Sequence, residues 1–596
     1  MDRKAIIVLV ISVVLLVLWY PLVNRIYPPK LIPKNTNIVA SATNRPGSVT
    51  NQAAPGIFTN AEAATPGISK TVSPNQPEQL IVFTNELARY TFSSHGGGIK
   101  LVELFKYRQR VRCRDKSETN ALASLNTAAP QPILSLPANE LLQGDGFFKL
   151  TQTPIGVRAE KPLPNGLVLV KEFQPTTNYL VNFTTRIENH STQTVAVPAQ
   201  EWNVGTATPM DEDDNAMFIG VLWYDGSSKQ AIDQGWFANN FMGCGCFPST
   251  PRTLYTGGQS NVVWAEVHNQ FFTLALIPQE PGHQVTATKV DLPPPSREVL
   301  ARNPRANPRP FGFQAGLVYS ATNLPPNGAM QKDFKLYAGP KENRTLERIA
   351  LQLKNDIDIV MGYSGFFGWF SKALLWAMNG LNALGLSYAM AIITITVIIK
   401  VVFWPLTQAS TRSMKRMASL QPQMNAIRER YKDDPAKMNR KMMEFMKEHK
   451  VSPLGGCLPM LLQIPVFIGF FTMVRSAIEL RGAQFLWACD LSKPDTLFFI
   501  PGVNFPFNPL PLIMGATMLW QARLTPPSPG MDPAQQKIMK YMPLIFLFVL
   551  YNYSAGLTLY WTVQNLLTIA QTKLTRAKSG ASAAPAPAPV PGRKNK

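Results

Sequence analysis

Apolar runs crowd the C-terminal third of this chain, at about 386–406, 456–474, 507–522, 541–553 and 556–572, and one lysine, Lys400, sits inside the first of them. Five such runs in close succession read as a helical bundle with lipid as its solvent, where backbone groups must be paired within each segment. Several runs are short: 541–553 reaches roughly 20 Å as a helix against hydrocarbon roughly 30 Å thick, which thins the bilayer around it or reflects a tilted helix. Residues 79–340 are of another kind, polar and near neutral, with 22 Lys/Arg against 21 Asp/Glu. The formal charge of +21 therefore belongs to the loops and tails around the apolar runs. That placement suits topology determinants or anionic partners and argues against a DNA-binding face on a folded domain.

The first 27 residues read as an uncleaved signal anchor with a cytoplasmic N-terminus: Asp2, Arg3 and Lys4 precede the apolar stretch Ala5–Val23, and Ala40-Ser41-Ala42 lies too far beyond it for a signal peptidase. Residues 28–78, rich in Pro, Ala, Asn, Thr and Ser, form a flexible tether. From residue 79 to 345 the period is two. Tyr179, Val181, Phe183, Thr185 and Ile187 alternate with Leu180, Asn182, Thr184, Arg186 and Glu188, and similar stretches occur at 80–92, 166–173, 262–276 and 331–338. Many strands without helices between them predict a large antiparallel sandwich outside the inner membrane. Within 346–385 a connecting helix (343–361) leads into an interfacial one (366–384), whose apolar side carries Phe366, Phe367, Phe370, Leu374, Met378 and Leu381.

Charge sets the topology. Residues 408–450 hold eleven Lys/Arg against five Asp/Glu, and the tail after 571 has six Lys/Arg and no acid, so both face the cytoplasm. The loop 475–506 is balanced and faces the other side. The expected fold is thus an α+β membrane protein: signal anchor, outer β-sandwich, a five-helix transmembrane core over 386–575 with a cytoplasmic helical hairpin at 408–450, and a disordered basic tail at 576–596. The hairpin carries Met414, Met417, Leu420, Met424, Ile427 and Tyr431 on one arm and Met438, Met442, Phe445 and Met446 on the other, with Asp433-Asp434-Pro435 as its turn. Methionines so spaced build a hairpin core or a docking face for varied apolar partners. The five cysteines are too few for a disulfide framework; they are incidental thiols, or Cys113 pairs with Cys244 or Cys246.

Lys400 carries the chemistry. A charge inside a spanning helix costs roughly 2.5 kcal/mol or more, and marks function unless it snorkels to nearby water. Thr394 and Thr396 precede it, and Gln463, Gln521, Gln564 and Asn565 add polar groups on other runs, while no run contains an acid. One polar group per helix can simply bridge helices. Several together with a cation can line a wet cavity that attracts carboxylates or the acidic residues of a passing chain. No P-loop, Gly-x-Ser-x-Gly or His-Glu-x-x-His occurs, so neither ATP-driven work nor intramembrane hydrolysis is expected, and no metal-ligand spacing appears.

Four motifs in order resemble the YidC-type membrane protein insertases, of the YidC/Oxa/Alb family: Trp404-Pro405-Leu406-Thr407; Pro453-Leu454-Gly455-Gly456-Cys457 with Gln463-Ile464-Pro465-Val466-Phe467; Asp532-Pro533-Ala534-Gln535-Gln536-Lys537-Ile538-Met539; and Ser554-Ala555-Gly556-Leu557-Thr558-Leu559-Tyr560-Trp561. Gly96-Gly97-Gly98 and Lys335-Leu336-Tyr337-Ala338-Gly339-Pro340 extend the likeness thinly over the outer domain. The resemblance implies a periplasmic β-super-sandwich, an interfacial helix, and five spans around a hydrophilic groove open to cytoplasm and lipid. It implies insertion and folding of inner-membrane proteins, alone or with the Sec translocon, without cofactor or enzymatic step. Lys400 stands where the family usually has Arg, Thr396 matches a groove threonine, and Gln463 a groove-side polar residue. Tyr560 fits the last-span aromatic pair, with Trp561 in place of a second Tyr. Gln564 completes the expected substrate groove.

The expected partners are nascent inner-membrane proteins, the Sec translocon, membrane lipids, and the ribosome through the tail and the hairpin methionines Met414, Met417, Met424, Met442 and Met446. A solute transporter would show paired broken helices, and none is evident. A carbohydrate enzyme would need clustered carboxylates or histidines in the sandwich. The run Asp211-Glu212-Asp213-Asp214 reads instead as a solvated loop, and His95, His190, His268 and His283 are scattered.

Overall fold

A computed structural model describes residues 76–580 apart from 112–120, 138, 213, 215, 240–249, 304–305, 364, 366, 450–457, 503 and 525–532. The expected anchor, most of the tether, the motif Pro453–Cys457 and cysteines 113, 244 and 246 lie outside the described residues.

The period-two region folds as expected. A nine-stranded antiparallel sheet runs from one edge to the other through Lys229–Asp233, Gly220–Tyr224, Trp264–His268, Phe272–Pro278, Ala329–Pro340, Leu180–Asn189, Leu167–Pro175, Gly156–Pro162 and Lys149–Thr153. A four-stranded sheet (Gln200–Ala207, Phe311–Tyr319, Gln284–Asp291, Leu254–Gly257) packs on it, and another (Leu80–Thr84, Ala88–Ser93, Gly98–Arg108, Leu122–Leu125) precedes both in sequence. Tyr179, Val181, Phe183, Thr185 and Ile187 are all buried, as their alternation requires. Between the layers, the Trp202 ring lies 5.6 Å from Phe183 and 6.0 Å from Phe334, and Phe183 stacks on Phe173 at 4.9 Å.

One lysine of this core is completely buried. Lys171 donates from Nζ to the carbonyls of Gly96 and Leu134, both at 2.9 Å, and lies 4.6 Å from the Phe148 ring and 5.5 Å from that of Trp202. Gly97 must be glycine beside it: its backbone is left-handed, and a Cβ would stand 2.5 Å from the Phe148 ring. Burial, helped by the charge on Lys161, pushes the Lys171 ammonium down to about 7. A neutral amine still has two N–H groups for its two carbonyls. The unfolded chain holds that proton up to the ordinary 10.5, so the sandwich gains stability as pH rises from about 7 toward 10.5. Denaturant midpoints of the full chain, followed by tryptophan fluorescence over this window, should rise with pH, and Lys171→Met should flatten the rise.

The described residues fall into two compact units. One holds three helices of the basic segment. We label the helices from the sandwich onward as α1 (Asn343–Leu353), α2 (Gly368–Ala383), α3 (Tyr388–Val402), α4 (Trp404–Ser419), α5 (Gln421–Arg430), α6 (Pro435–Glu448), α7 (Leu458–Ser476), α8 (Pro509–Leu524), α9 (Pro533–Leu550) and α10 (Ala555–Gly580). The expected hairpin therefore has a first arm broken at Leu420, just before Pro422 in the first turn of α5. Asp434 caps α6 by accepting from the Lys437 amide at 2.9 Å. Met417, Met424 and Met446 form the core of this unit, with Leu420, Met442 and Phe445 against it.

The other unit contains the sandwich and the remaining helices. The connecting helix stops at Leu353, where Lys354 turns left-handed, and a short turn over Ile357–Met361 replaces its expected second half. The first apolar run ends as a helix at Val402 instead of 406, because Pro405 has no N–H to offer the Val401 carbonyl. The last helix continues to Gly580, past the expected start of a disordered tail at 576. Among the described residues no single helix is long and apolar enough to cross a membrane; Tyr388–Val402 with Trp404–Ser410 reach that length as a pair.

The loop between α7 and α8 corrects the reading of the acidic run. Lys493 Nζ donates to both carboxylate oxygens of Asp211, at 2.9 and 2.8 Å, and lies 3.1 Å from Asp214. The Asp211 side chain is only 4% exposed. Glu212 pairs with Arg110. A cation 282 residues away thus turns an apparently solvated acidic loop into part of an interface. Burial raises the Asp214 carboxyl, and Lys493 opposes the rise. Nearby, Arg481 donates to the Gln109 carbonyl at 2.9 Å and Gln270 to that of Arg475 at 3.2 Å. Cys489 in the same loop is disulfide-bonded, so the cysteines are not all incidental thiols. The backbone of the loop then receives α10: the amides of Ala555 and Gly556 donate to the carbonyls of Lys493 (2.7 Å) and Leu491 (2.8 Å).

Candidate functional site

Three helices of the larger unit, α3, α8 and α10, bury polar side chains and expose large apolar ones. On α3, Ile392, Thr396 and Lys400 fall at four-residue intervals and are buried, while Met390, Val397, Ile398, Val401 and Val402 are exposed. On α8 the buried polar residue is Thr517, and Leu512, Ile513 and Trp520 face outward. On α10, Thr558, Thr562, Asn565 and Gln571 are buried, with Leu566 and Leu574 outside. Water would favour the reverse, whereas lipid favours this arrangement.

Lys400 is 7% exposed and donates from Nζ to Thr568 Oγ1 at 2.8 Å. The Thr568 hydroxyl in turn donates to the Gln564 carbonyl one turn earlier, at 2.7 Å. The same back-bonding occupies the protons of Thr396, Thr562 and Thr572 on the carbonyls of Ile392, Thr558 and Thr568. Each hydroxyl thereby keeps its lone pairs as acceptors. A second bridge joins α10 to α8, where Asn565 Nδ2 donates to Thr517 Oγ1 at 3.2 Å. Among the described residues Lys400 has no carboxylate partner. The seam therefore presents one cation and several acceptors, a combination that can hold water or the polar groups of a peptide.

The aromatic residues occupy another level. Tyr560 lies two turns before Thr568 on α10, about 12 Å along the axis. It is buried, stacks on Phe470 of α7 at 4.1 Å, and its hydroxyl has no hydrogen-bond partner among the described residues. Trp561 packs edge-on against Phe467 (4.8 Å) and tilted against Phe546 of α9 (5.2 Å). Gln463 on α7 and Gln564 on α10 are half-buried. Among the described residues, only Lys400 and the backbone carbonyl of Gln564, of the expected groove positions, are joined directly to one chain of hydrogen bonds, through Thr568. Thr396 lies one turn from Lys400 on the same face, and Tyr560 and Trp561 hold α10 to α7 and α9.

Thr568, Thr517 and Thr562 escaped the sequence reading. The recurrence of threonine at 558, 562, 568, 572 and 575 on one helix was the available signal. The expected contact methionines Met417, Met424 and Met446 sit in the core of the smaller unit and Met442 packs against it; Met443 is the exposed one. The side chain of Met414 lies outside the described residues. No group of three His, Cys, Asp or Glu that could hold a metal occurs among the described residues.

Two family models match the chain: one described as the 60Kd inner membrane protein over residues 380–581, and one as the YidC periplasmic domain over 80–377. The membrane protein insertase YidC of Syntrophus aciditrophicus is 30% identical over 96% of this chain and 98% of its own. That of Cupriavidus necator is 31% identical over 96% and 97%. A crystal structure of an active YidC insertase with its first transmembrane domain resolved is 17% identical, with a TM-score of 0.33 over 84% of this chain and 94% of that one. Full-length likeness to these relatives, with both halves of the chain matched by their own models, leaves one assignment: the chain belongs to the YidC family of membrane protein insertases.

Proposed function

We propose that this chain inserts and folds integral proteins into the bacterial inner membrane, alone or with the Sec translocon, and does so without an enzymatic step. The observation that carries this reading is the buried Lys400–Thr568 pair in a bundle that exposes large apolar side chains. A cation and back-bonded threonines lower the barrier for the hydrophilic flank of a nascent segment, which occupies the polar groove in transit. Partition of the apolar part into lipid then drives the step, aided by the membrane potential where charge permits. In this reading residues 1–27 anchor the chain, the apolar cores of α3, α7, α8, α9 and α10 make the five-helix bundle, α2 lies at the interface and the sandwich is periplasmic. The basic segment 408–450 and the tail face the cytoplasm, where the hairpin meets substrate and both meet the ribosome through its RNA.

Purified full-length chain in liposomes, given a single-span precursor with a short charged N-terminal flank, should protect that flank from external protease without Sec components. Protection no greater than in empty liposomes would remove the reading.

A further inference from the structure

The loop between α7 and α8 exposes two rigid apolar tips that the polar seam does not use. The first is a hairpin of Phe498–Ile500 paired antiparallel with Phe505–Phe507. Phe498 is 52% and Phe505 46% exposed, and Ile500 is exposed beside them. The second is the tight turn between Phe485 and Ala488, where Leu486 is 75% exposed and left-handed, at φ 51°. A leucine in that conformation is uncommon, and its exposure supplies no packing that explains it.

Both tips are held at the start of α8. Asp495 Oδ2 accepts from Trp487 Nε1 at 2.9 Å and from the Leu510 amide at 2.7 Å, which fixes the Leu486 turn there. The hairpin is fixed from its other strand: Tyr551 Oη donates to the Pro506 carbonyl at 2.7 Å, Asn508 Nδ2 donates to the Tyr551 carbonyl at 2.9 Å, and Phe505 stacks on the Tyr551 ring at 5.0 Å. Tyr551 directly follows the end of α9. The lipid-facing surface of that helix, Leu544, Ile545, Phe548 and Val549, thus continues into the hairpin. No charged residue occurs between Asp495 and Arg523.

We propose that these tips insert into the leaflet on the sandwich side of the membrane, as a fixed lipid anchor of the α7–α8 loop. The side follows from the Lys493–Asp211 and Arg481–Gln109 contacts between the same loop and the sandwich. The occupant follows from continuity with the exposed aliphatic face of α9 and from the absence of charge. Rigid aromatic and aliphatic groups on an uncharged tip suit the interface between headgroups and acyl chains. The chemistry also fits the length of α9, whose apolar part from Tyr541 to Leu550 covers about 15 Å, half the hydrocarbon thickness. The hairpin prolongs apolar surface where the helix ends.

The test places a polarity-sensitive fluorophore on the full chain in phosphatidylethanolamine/phosphatidylglycerol vesicles, through Phe505→Cys or Leu486→Cys, with Ser227→Cys in an exposed sandwich turn as comparator and labelling of the parent chain subtracted. Blue-shifted emission at 505 and 486, quenched by doxyl-labelled lipid and not by iodide, is the expected result. Iodide quenching equal to that at 227 would overturn the proposal, and so would emission reached by neither quencher, which would mean a protein partner covers the tips. The proposal needs the helices to reside in lipid but does not need insertase activity. Protease protection measured on the same vesicles separates failure of one from failure of the other.

Discussion

Replacing Lys400 by leucine should lower insertion of a charged-flank precursor by about ten- to hundredfold, the equivalent of one hydrogen bond to a charged group at roughly 1.5–3 kcal/mol. The fold should survive. Thr568 keeps its proton on the Gln564 carbonyl whether or not Lys400 is there, so the substitution removes a desolvated charge without orphaning a buried donor. Lys400→Arg should retain most activity if charge is what matters, since a guanidinium can reach the same hydroxyl acceptor. Initial insertion rates into proteoliposomes, normalised to folded protein, give both numbers. Equal rates for the leucine variant and the parent would deny the cation its role.

The second large effect belongs to Lys493. Its ammonium faces Asp211 and Asp214, and removing one partner of a buried ion pair costs roughly 3–5 kcal/mol. Lys493→Met should lower the thermal midpoint of the full chain in detergent. It should also speed amide exchange at the start of α10, whose first amides rest on the carbonyls of Lys493 and Leu491. Adding Asp211→Asn and Asp214→Asn should recover part of the loss, because the carboxylates no longer face each other without that cation. An unchanged exchange rate at Ala555 and Gly556 would show that the contact holds the sandwich but not the helix.

The parts of this fold legible in the sequence are those set by local period. Inward alternation at Tyr179–Ile187 marked a sandwich strand, and the apolar runs marked α3 and α7–α10 to within a few residues, apart from the polar N-terminal turns of α9 and the polar C-terminal turns of α10. Lys400 stood out because its neighbours are aliphatic. What stayed hidden depends on pairing across long separations. Thr568 meets Lys400 over 168 residues, and a threonine alone on a helix carries no mark of such a partner. The acidic run at 211–214 looked solvated because its cation lies in a loop whose own charges appear balanced. The methionines of the basic segment fitted a docking face as well as the commoner hairpin core by spacing, and their packing against one another decides where three of them sit. Lys171 passed unnoticed in an alternating strand, since alternation says which way a side chain faces and not that a core will accept an amine.

The central claim is that the polar seam between α3 and α10 receives the hydrophilic flank of a substrate, and site-specific photo-crosslinking tests it most directly. A photoreactive residue at Gln564, beside Thr568, and another at Phe548, on the exposed apolar side of α9, would each be challenged with a ribosome-stalled single-span precursor. Adducts from Gln564 to the charged flank, and from Phe548 only to the apolar segment or to lipid, are predicted. Flank adducts at Phe548 with none at Gln564 would contradict the account.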